Sequence, residues 1–163
     1  MNSYRIKTAM LAKVCAVAVA LAAVSAPATG QMAHHTAIPA DKVEWKPGPP
    51  TLPPGAQMAV LAGSPMKEGP FIMRLKFPAG FAIPPHRHPR EEALTVISGA
   101  FGMGTGEKHD RNAAPLLPAG SFFVMPAGTA HFAWTDRETV MQVNGVGPFV
   151  VEYINPADDP RKK

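Results

Sequence analysis

The sequence predicts an antiparallel sandwich or barrel of the jelly-roll type, and three observations carry that prediction. From Gln57 onward, short apolar runs alternate with Gly/Pro punctuation, and no stretch holds a helical period. The run from Phe71 to Phe77 shows the pattern most clearly. Phe71, Met73, Leu75 and Phe77 alternate with Arg74 and Lys76, giving one buried and one wet face. Turn signals recur between the runs, at Gly63-Ser64-Pro65, Pro78-Ala79-Gly80, Pro118-Ala119-Gly120 and Pro126-Ala127-Gly128. A chain of 163 residues has room for one such domain.

The first segment stands apart from this domain. Arg5, Lys7 and Lys13 precede an apolar run from Val14 to Val24, which is followed by Ser25-Ala26-Pro27-Ala28. A charged head, an apolar middle too short for a membrane span and small residues at Ala26 and Ala28 describe a secretory signal peptide. Cleavage is expected after Ala28, with Gly30 as the alternative position; the competing reading of the segment is an uncleaved anchor. Removing residues 1–28 leaves 13 basic against 12 acidic side chains, a net charge of +1. The high isoelectric point therefore belongs mostly to the leader, and no basic stripe remains to suggest a nucleic-acid partner. The single cysteine, Cys15, departs with the leader. The exported protein is then free of disulfides and of thiolate ligands, as suits an oxidising compartment, and carries no membrane segment.

Residues 29–56 hold few apolar side chains and six prolines, from Pro39 to Pro54, and read as a flexible, Pro-rich arm. Val43 and Trp45 are its candidates for docking onto the domain or onto a second subunit. The adjacent His34-His35 pair reads as solvated rather than as a metal site. The domain is expected over residues 57–155, with strands at Met58–Ala62, Phe71–Phe77, Ala82–His86, Ala93–Ser98, Phe101–Met103, Ser121–Met125, Ala130–Trp134, Thr139–Val146 and Phe149–Ile154. Gly104 to Pro115 is the long polar interruption and reads as a surface loop. Residues 156–163, with Pro156, Pro160 and mixed charges, are expected to lie on the surface as a polar tail.

Two stretches carry chemistry. Gly80 to Gly99 places His86 and His88 two apart and Glu92 four further on. Side chains two apart in a strand share a face, so a short extended segment can aim two imidazoles and a carboxylate into one cavity. Glu91 competes for the carboxylate role, but Glu92 shares phase with the histidines. The second stretch, Gly120 to His131, adds another imidazole behind a P-x-G turn. Three imidazoles and one carboxylate suit Fe(II), Mn(II), Ni(II), Cu(II) or Zn(II) and suit Ca(II) or Mg(II) poorly.

Gly80-x5-His86-x-His88-x3-Glu92-x6-Gly99 resembles the first motif of the cupin superfamily at every position. Gly120-x5-Pro126-x-Gly128-x2-His131 resembles the second as far as its histidine, with Thr135 where that motif closes on asparagine. The gap between the motifs, Ala100 to Ala119, is twenty residues, similar to that of small bacterial single-domain members. The resemblance covers residues 57–155. It implies a cupin-type jelly-roll β-barrel holding one divalent transition metal on His86, His88, Glu92 and His131, commonly assembled as a homodimer.

Phe101, Met103, Phe123, Met125, Ala133 and Met141 are candidates for an apolar wall around the metal, suited to an apolar or aromatic small molecule. Gln142, Asn144 and Tyr153 are the polar residues on late strands within conceivable reach. Gly102-x-Gly104-x-Gly106 is glycine-rich, but no amphipathic helix follows it, so it does not signal a dinucleotide site. No nucleophile motif occurs, and no acid–base group beyond the ligands is visible. Three functions compete: a metal-dependent oxidoreductase of dioxygenase type acting on a chelating substrate, a metal-dependent isomerase or lyase, and a non-catalytic periplasmic binder of metal or small ligands. The first is preferred for its full ligand set and apolar wall; the second needs a base that the sequence does not place.

Overall fold

A computed structural model describes residues 35–163, of which 37–163 form one compact unit. The expected leader and cleavage site lie outside the described residues. Among the described residues eleven strands form two antiparallel sheets. In chain order they are β1 (Lys46–Pro47), β2 (Gln57–Ala62), β3 (Gly69–Phe77), β4 (Ala82–Arg87), β5 (Glu92–Ser98), β6 (Ala100–Thr105), β7 (Leu116–Pro118), β8 (Phe122–Met125), β9 (His131–Thr135), β10 (Thr139–Gly147) and β11 (Glu152–Tyr153). One sheet runs β1-β2-β3-β10-β5-β8 and the other β11-β4-β9-β6-β7. The all-β jelly-roll prediction holds. Among the described residues no helix is long and apolar enough to cross a membrane.

The longest pairing, β3 with β10, organises the first sheet. Phe71, Met73, Leu75 and Phe77 face the core, opposite Gly145, Val143, Met141 and Thr139. The alternation read from β3 is thus the alternation of burial, because side chains two apart share a face. On the far side of β10, β5 continues the same inner face with Leu94 and Val96. Glu92, first in β5, shares their parity and is buried with them, whereas Glu91 is exposed.

The structure departs from the sequence expectation at both ends of the domain. Lys46–Pro47, within the expected flexible arm, pairs with Gln57–Met58 as an edge strand, a position where a proline's missing donor costs no ladder bond. The Lys76 ammonium sits 4.3 Å from the Trp45 ring centroid, and Leu52 and Ala56 are buried in the core. The segment before residue 57 has few apolar residues, but those it has are used. At the other end, the expected strand Phe149–Ile154 is a strand only at Glu152–Tyr153. The tail beyond it folds into two 3₁₀ turns, Pro156–Asp158 and Pro160–Lys162, each with Pro first and an Asn155 or Asp159 side chain accepting from a turn N–H.

The glycines of the G-x-G run have a packing role. A Cβ at Gly102 would overlap the Trp134 indole, and one at Gly104 would overlap the Phe132 ring. Both rings belong to β9, the neighbour of β6 in the sheet. β9 is therefore buried on both faces, and the polar loop after β6 adds His109 as a cover, its ring 4.9 Å from that of Phe132. Desolvation at this position, aided by the nearby Arg111 and opposed by Asp110, pushes the His109 pKa down.

Candidate metal centre

His86, His88, Glu92 and His131 converge on the interior side of the two sheets, each at most 5% exposed. The local route differs for each. Along β4 the inward positions switch parity, since Ile83 and His86 are both buried. A register shift against β9 between those residues, across Pro84-Pro85, accounts for the switch. His86 then stands directly opposite His131, the first residue of β9. His88 lies just past β4. It is tied to the second motif by its carbonyl, which accepts from Gly128 N at 2.8 Å. Gly128 itself takes a φ of 76°, the left-handed conformation that favours glycine, so the P-x-G turn that precedes His131 also fixes His88.

Each ring is oriented by one backbone carbonyl. Nδ1 of His86 lies 2.8 Å from the Pro84 carbonyl, Nδ1 of His88 2.7 Å from Val150 and Nδ1 of His131 2.8 Å from Thr129. A carbonyl oxygen can only accept, so Nδ1 carries the proton and a neutral ring keeps its lone pair on Nε2. The ligand atoms of the three histidines all lie within 4.8 Å of one another. Glu92 Oε1 is 3.1 Å from His131 Nε2 and 3.5 Å from His88 Nε2. His131 Nε2 is buried without a hydrogen-bond partner. Three lone pairs and a carboxylate oxygen facing one another repel unless a cation or protons intervene.

At His86 and His88 protons are disfavoured. Burial pushes the His86 pKa from 6.5 down to about 3, and the neighbouring His131 and His88 act in the same direction. His88 is also lowered, chiefly by burial, with Glu92 opposing. Neutral imidazoles are the form that binds transition metals. The donor set fits a divalent ion of the Mn to Zn series, with second-sphere carbonyls of the kind that hold metal-ligating histidines.

The site forms the polar end of a cavity of about 290 Å3. Of the expected wall, Phe101, Met103, Ala133 and Met141 line it, while Phe123 and Met125 do not. Phe123 instead packs against the core from outside the cavity, its ring 6.0 Å from that of Phe101. Met58, Met73 and Phe149 are among the other apolar residues that line it. Phe149 also stacks on His88 with ring centroids 4.5 Å apart. Nothing in the sequence marked Phe149 or Val150 as positioning residues, since both stood in an expected strand. Gln142 turns away and accepts from Arg74 on the outer face of the sheet. Tyr153 lies behind His86, and its hydroxyl donates to the Thr51 carbonyl at 2.7 Å. Burial and the nearby Asp159 push that hydroxyl up to about 12, so it remains a donor. Thr135 stands where the resemblance expected asparagine. Its hydroxyl donates to the Pro78 carbonyl and accepts from Phe81 N, clamping the turn before β4.

These features can be set beside known proteins. The chain is 34% identical over 92 residues to a germin-like protein of subfamily 1, member 3, from Arabidopsis thaliana, covering 53% of this chain and 40% of that one. It spans 35%, 28% and 30% of the length of three further plant germin-like proteins that it matches. Among solved structures, the polyketide cyclase RemF from Streptomyces resistomycificus superposes with a TM-score of 0.61 at 15% identity, covering 79% of this chain and 92% of that one. A candidate acetylacetone dioxygenase from Methylibium petroleiphilum PM1 superposes with a TM-score of 0.59 at 19% identity, covering 78% and 85%. Both likenesses are likenesses of fold. The model of the ChrR Cupin-like domain matches residues 33–150, a span that includes both histidine motifs and all but one of the strands. On that match, the chain belongs to the ChrR Cupin-like domain family.

Proposed function

We propose that the protein is an exported, bacterial single-domain cupin that binds one divalent transition metal through His86, His88, Glu92 and His131. We further propose that it acts as an oxidoreductase of dioxygenase type on a small chelating substrate. The observation that carries this reading is the convergence of three tautomer-fixed imidazoles and one buried carboxylate at the end of an apolar cavity. A metal held there supplies Lewis acidity and a template for a chelating oxygen pair. Glu92 offsets one of its positive charges, and the carbonyls of Pro84, Val150 and Thr129 hold the rings in register. The methionine and phenylalanine walls exclude water from the bound molecule and favour an apolar or aromatic body. A fold neighbour described as a candidate acetylacetone dioxygenase gives this reading a precedent on the same architecture.

The test is metal analysis of protein purified from the periplasm, followed by oxygen uptake with chelating phenols and 1,3-diketones. Uptake by the Fe, Mn, Ni or Cu form supports the reading; none with any of the four rejects the dioxygenase assignment. A second reading, a non-catalytic binder of metal or small ligand, is favoured by one observation. The Tyr153 hydroxyl, on the ring that lies beside His86, is committed to the Thr51 carbonyl. The same commitment weighs against an isomerase or lyase, which needs a mobile proton. Assembly as a homodimer is part of the proposal and is tested by sedimentation of the mature chain.

A further inference from the structure

The mouth of the cavity carries a second polar feature, supplied by the C-terminal turn. Arg161 lines the same cavity as the three histidines and Glu92. Outside the metal centre it is the one charged residue of the lining among the described residues. It is built into place. Nε donates to Asp159 Oδ1 at 2.8 Å and Nη2 to Asp159 Oδ2 at 2.8 Å, a bidentate pair, and Nη2 also donates to the Val151 carbonyl at 3.2 Å. Asp159 is 6% exposed, and it also accepts from the Arg161 backbone N–H. These bonds use Nε–H and both hydrogens of Nη2. Nη1 has no acceptor among the described residues. The guanidinium side chain itself remains 41% exposed, at the rim rather than in the core.

A planar guanidinium held along one edge presents its other donors in a fixed direction, and carboxylates match that geometry. Its conformational freedom is already restricted in the folded protein, so a ligand need not order it. Apart from Thr51, the rest of the wall is apolar, and the cavity is at the small end of the range for ligand pockets. We propose that Arg161 receives a carboxylate of the bound molecule through Nη1, so that the cavity takes small organic acids. The acid group sits at the mouth, the apolar body lies along the methionine wall, and the far end points toward the histidines. This rests on reading the cavity as the ligand chamber of the metal centre. Asp159 already neutralises part of the charge, so the selectivity expected is modest, on the order of tenfold for one charge-assisted contact at a partly exposed site.

The test compares 3-phenylpropanoate with its amide, two molecules of one shape, by calorimetry on the mature chain loaded with zinc. The acid should bind roughly tenfold more tightly than the amide. Arg161→Gln should remove that preference without changing the amide affinity, and Arg161→Lys should restore part of it. A His86→Ala, His88→Ala variant should keep the preference, because the anion lies at the mouth and not at the metal. The proposal is overturned if neither compound binds, or if acid and amide bind alike. It is equally overturned if the preference survives Arg161→Gln and disappears in the histidine variant, which would place the acid on the metal. These readouts are independent of oxygen uptake. A protein without dioxygenase activity can still show the acid preference, and an active one can lack it.

Discussion

Burial keeps His86 neutral down to about pH 3, well below the 6.5 of an exposed imidazole. Between those two values the unfolded chain binds a proton that the folded chain refuses. Stability in the absence of metal therefore falls as the pH drops from 6.5 toward 3, by an amount on the order of a few kcal/mol for this residue. Thermal melting in chelator should give a Tm that is level near neutrality and declines below pH 6.5. The histidines and Glu92 should also differ in weight. His86→Ala, His88→Ala is expected to abolish metal binding, since two of three nitrogen donors are gone. Glu92→Gln keeps the shape but loses the charge, and should weaken affinity by about 10- to 100-fold. Metal content by mass spectrometry, with circular dichroism to confirm folding, checks both. A double-histidine variant with a full metal complement would disprove the assigned centre.

At the scale of elements, the site depends on how strands are aimed as much as on which residues they carry. The Pro84-Pro85 shift turns His86 inward against the parity set by Ile83, and the 148–151 segment supplies both a carbonyl and an aromatic face for His88. Phe149→Ala should leave the sheets intact and lower metal affinity about tenfold, in the range of a lost second-sphere support. Titration against a competing chelator measures it. The β6 glycines set the distance between β6 and the aromatic rings of β9. Gly102→Val places carbon where the Trp134 indole lies. It should cost at least about 1–3 kcal/mol through overpacking, read as a lower denaturant midpoint. An unchanged midpoint would mean that β9 can shift away freely.

For the described residues as a whole, the two sheets enclose a chamber whose polar end is the candidate metal centre and whose lining includes segments from either side of the strands. Pro49 to Leu52 from the N-terminal side and Arg161 from the C-terminal side both line it, and Tyr153 ties the former through Thr51. Met103 lines the chamber while remaining only partly buried, so the space beside it can be filled without disturbing the ligands. Met103→Trp should leave metal content unchanged and weaken small-molecule binding by at least about tenfold. Loss of metal together with ligand would show that chamber and centre are not separable.

Most of the fold was legible because half-buried strands write their facing into alternating residues, as along β3, and because Gly and Pro mark the turns between them. The three histidines and Glu92 were legible from the two motifs, but not because one extended segment aims them: parity switches within β4 at Pro84-Pro85, a bend separates His88 from Glu92, and β4 and β5 belong to different sheets. Lys46–Pro47 escaped because an edge strand of two residues has no periodicity to read. Phe149, Val150 and Arg161 escaped because their roles depend on contacts made across the fold. By itself the sequence determined which side chains were available to hold a metal and that strands or their ends would present them. Only the tertiary structure decided the tautomers of the three rings, through the carbonyls at Nδ1, and the neutrality of His86 and His88, through burial, and it brought an arginine from the C-terminal turn to the same cavity. Electrostatics in a closed space depends on neighbours remote in sequence, and those are set by packing.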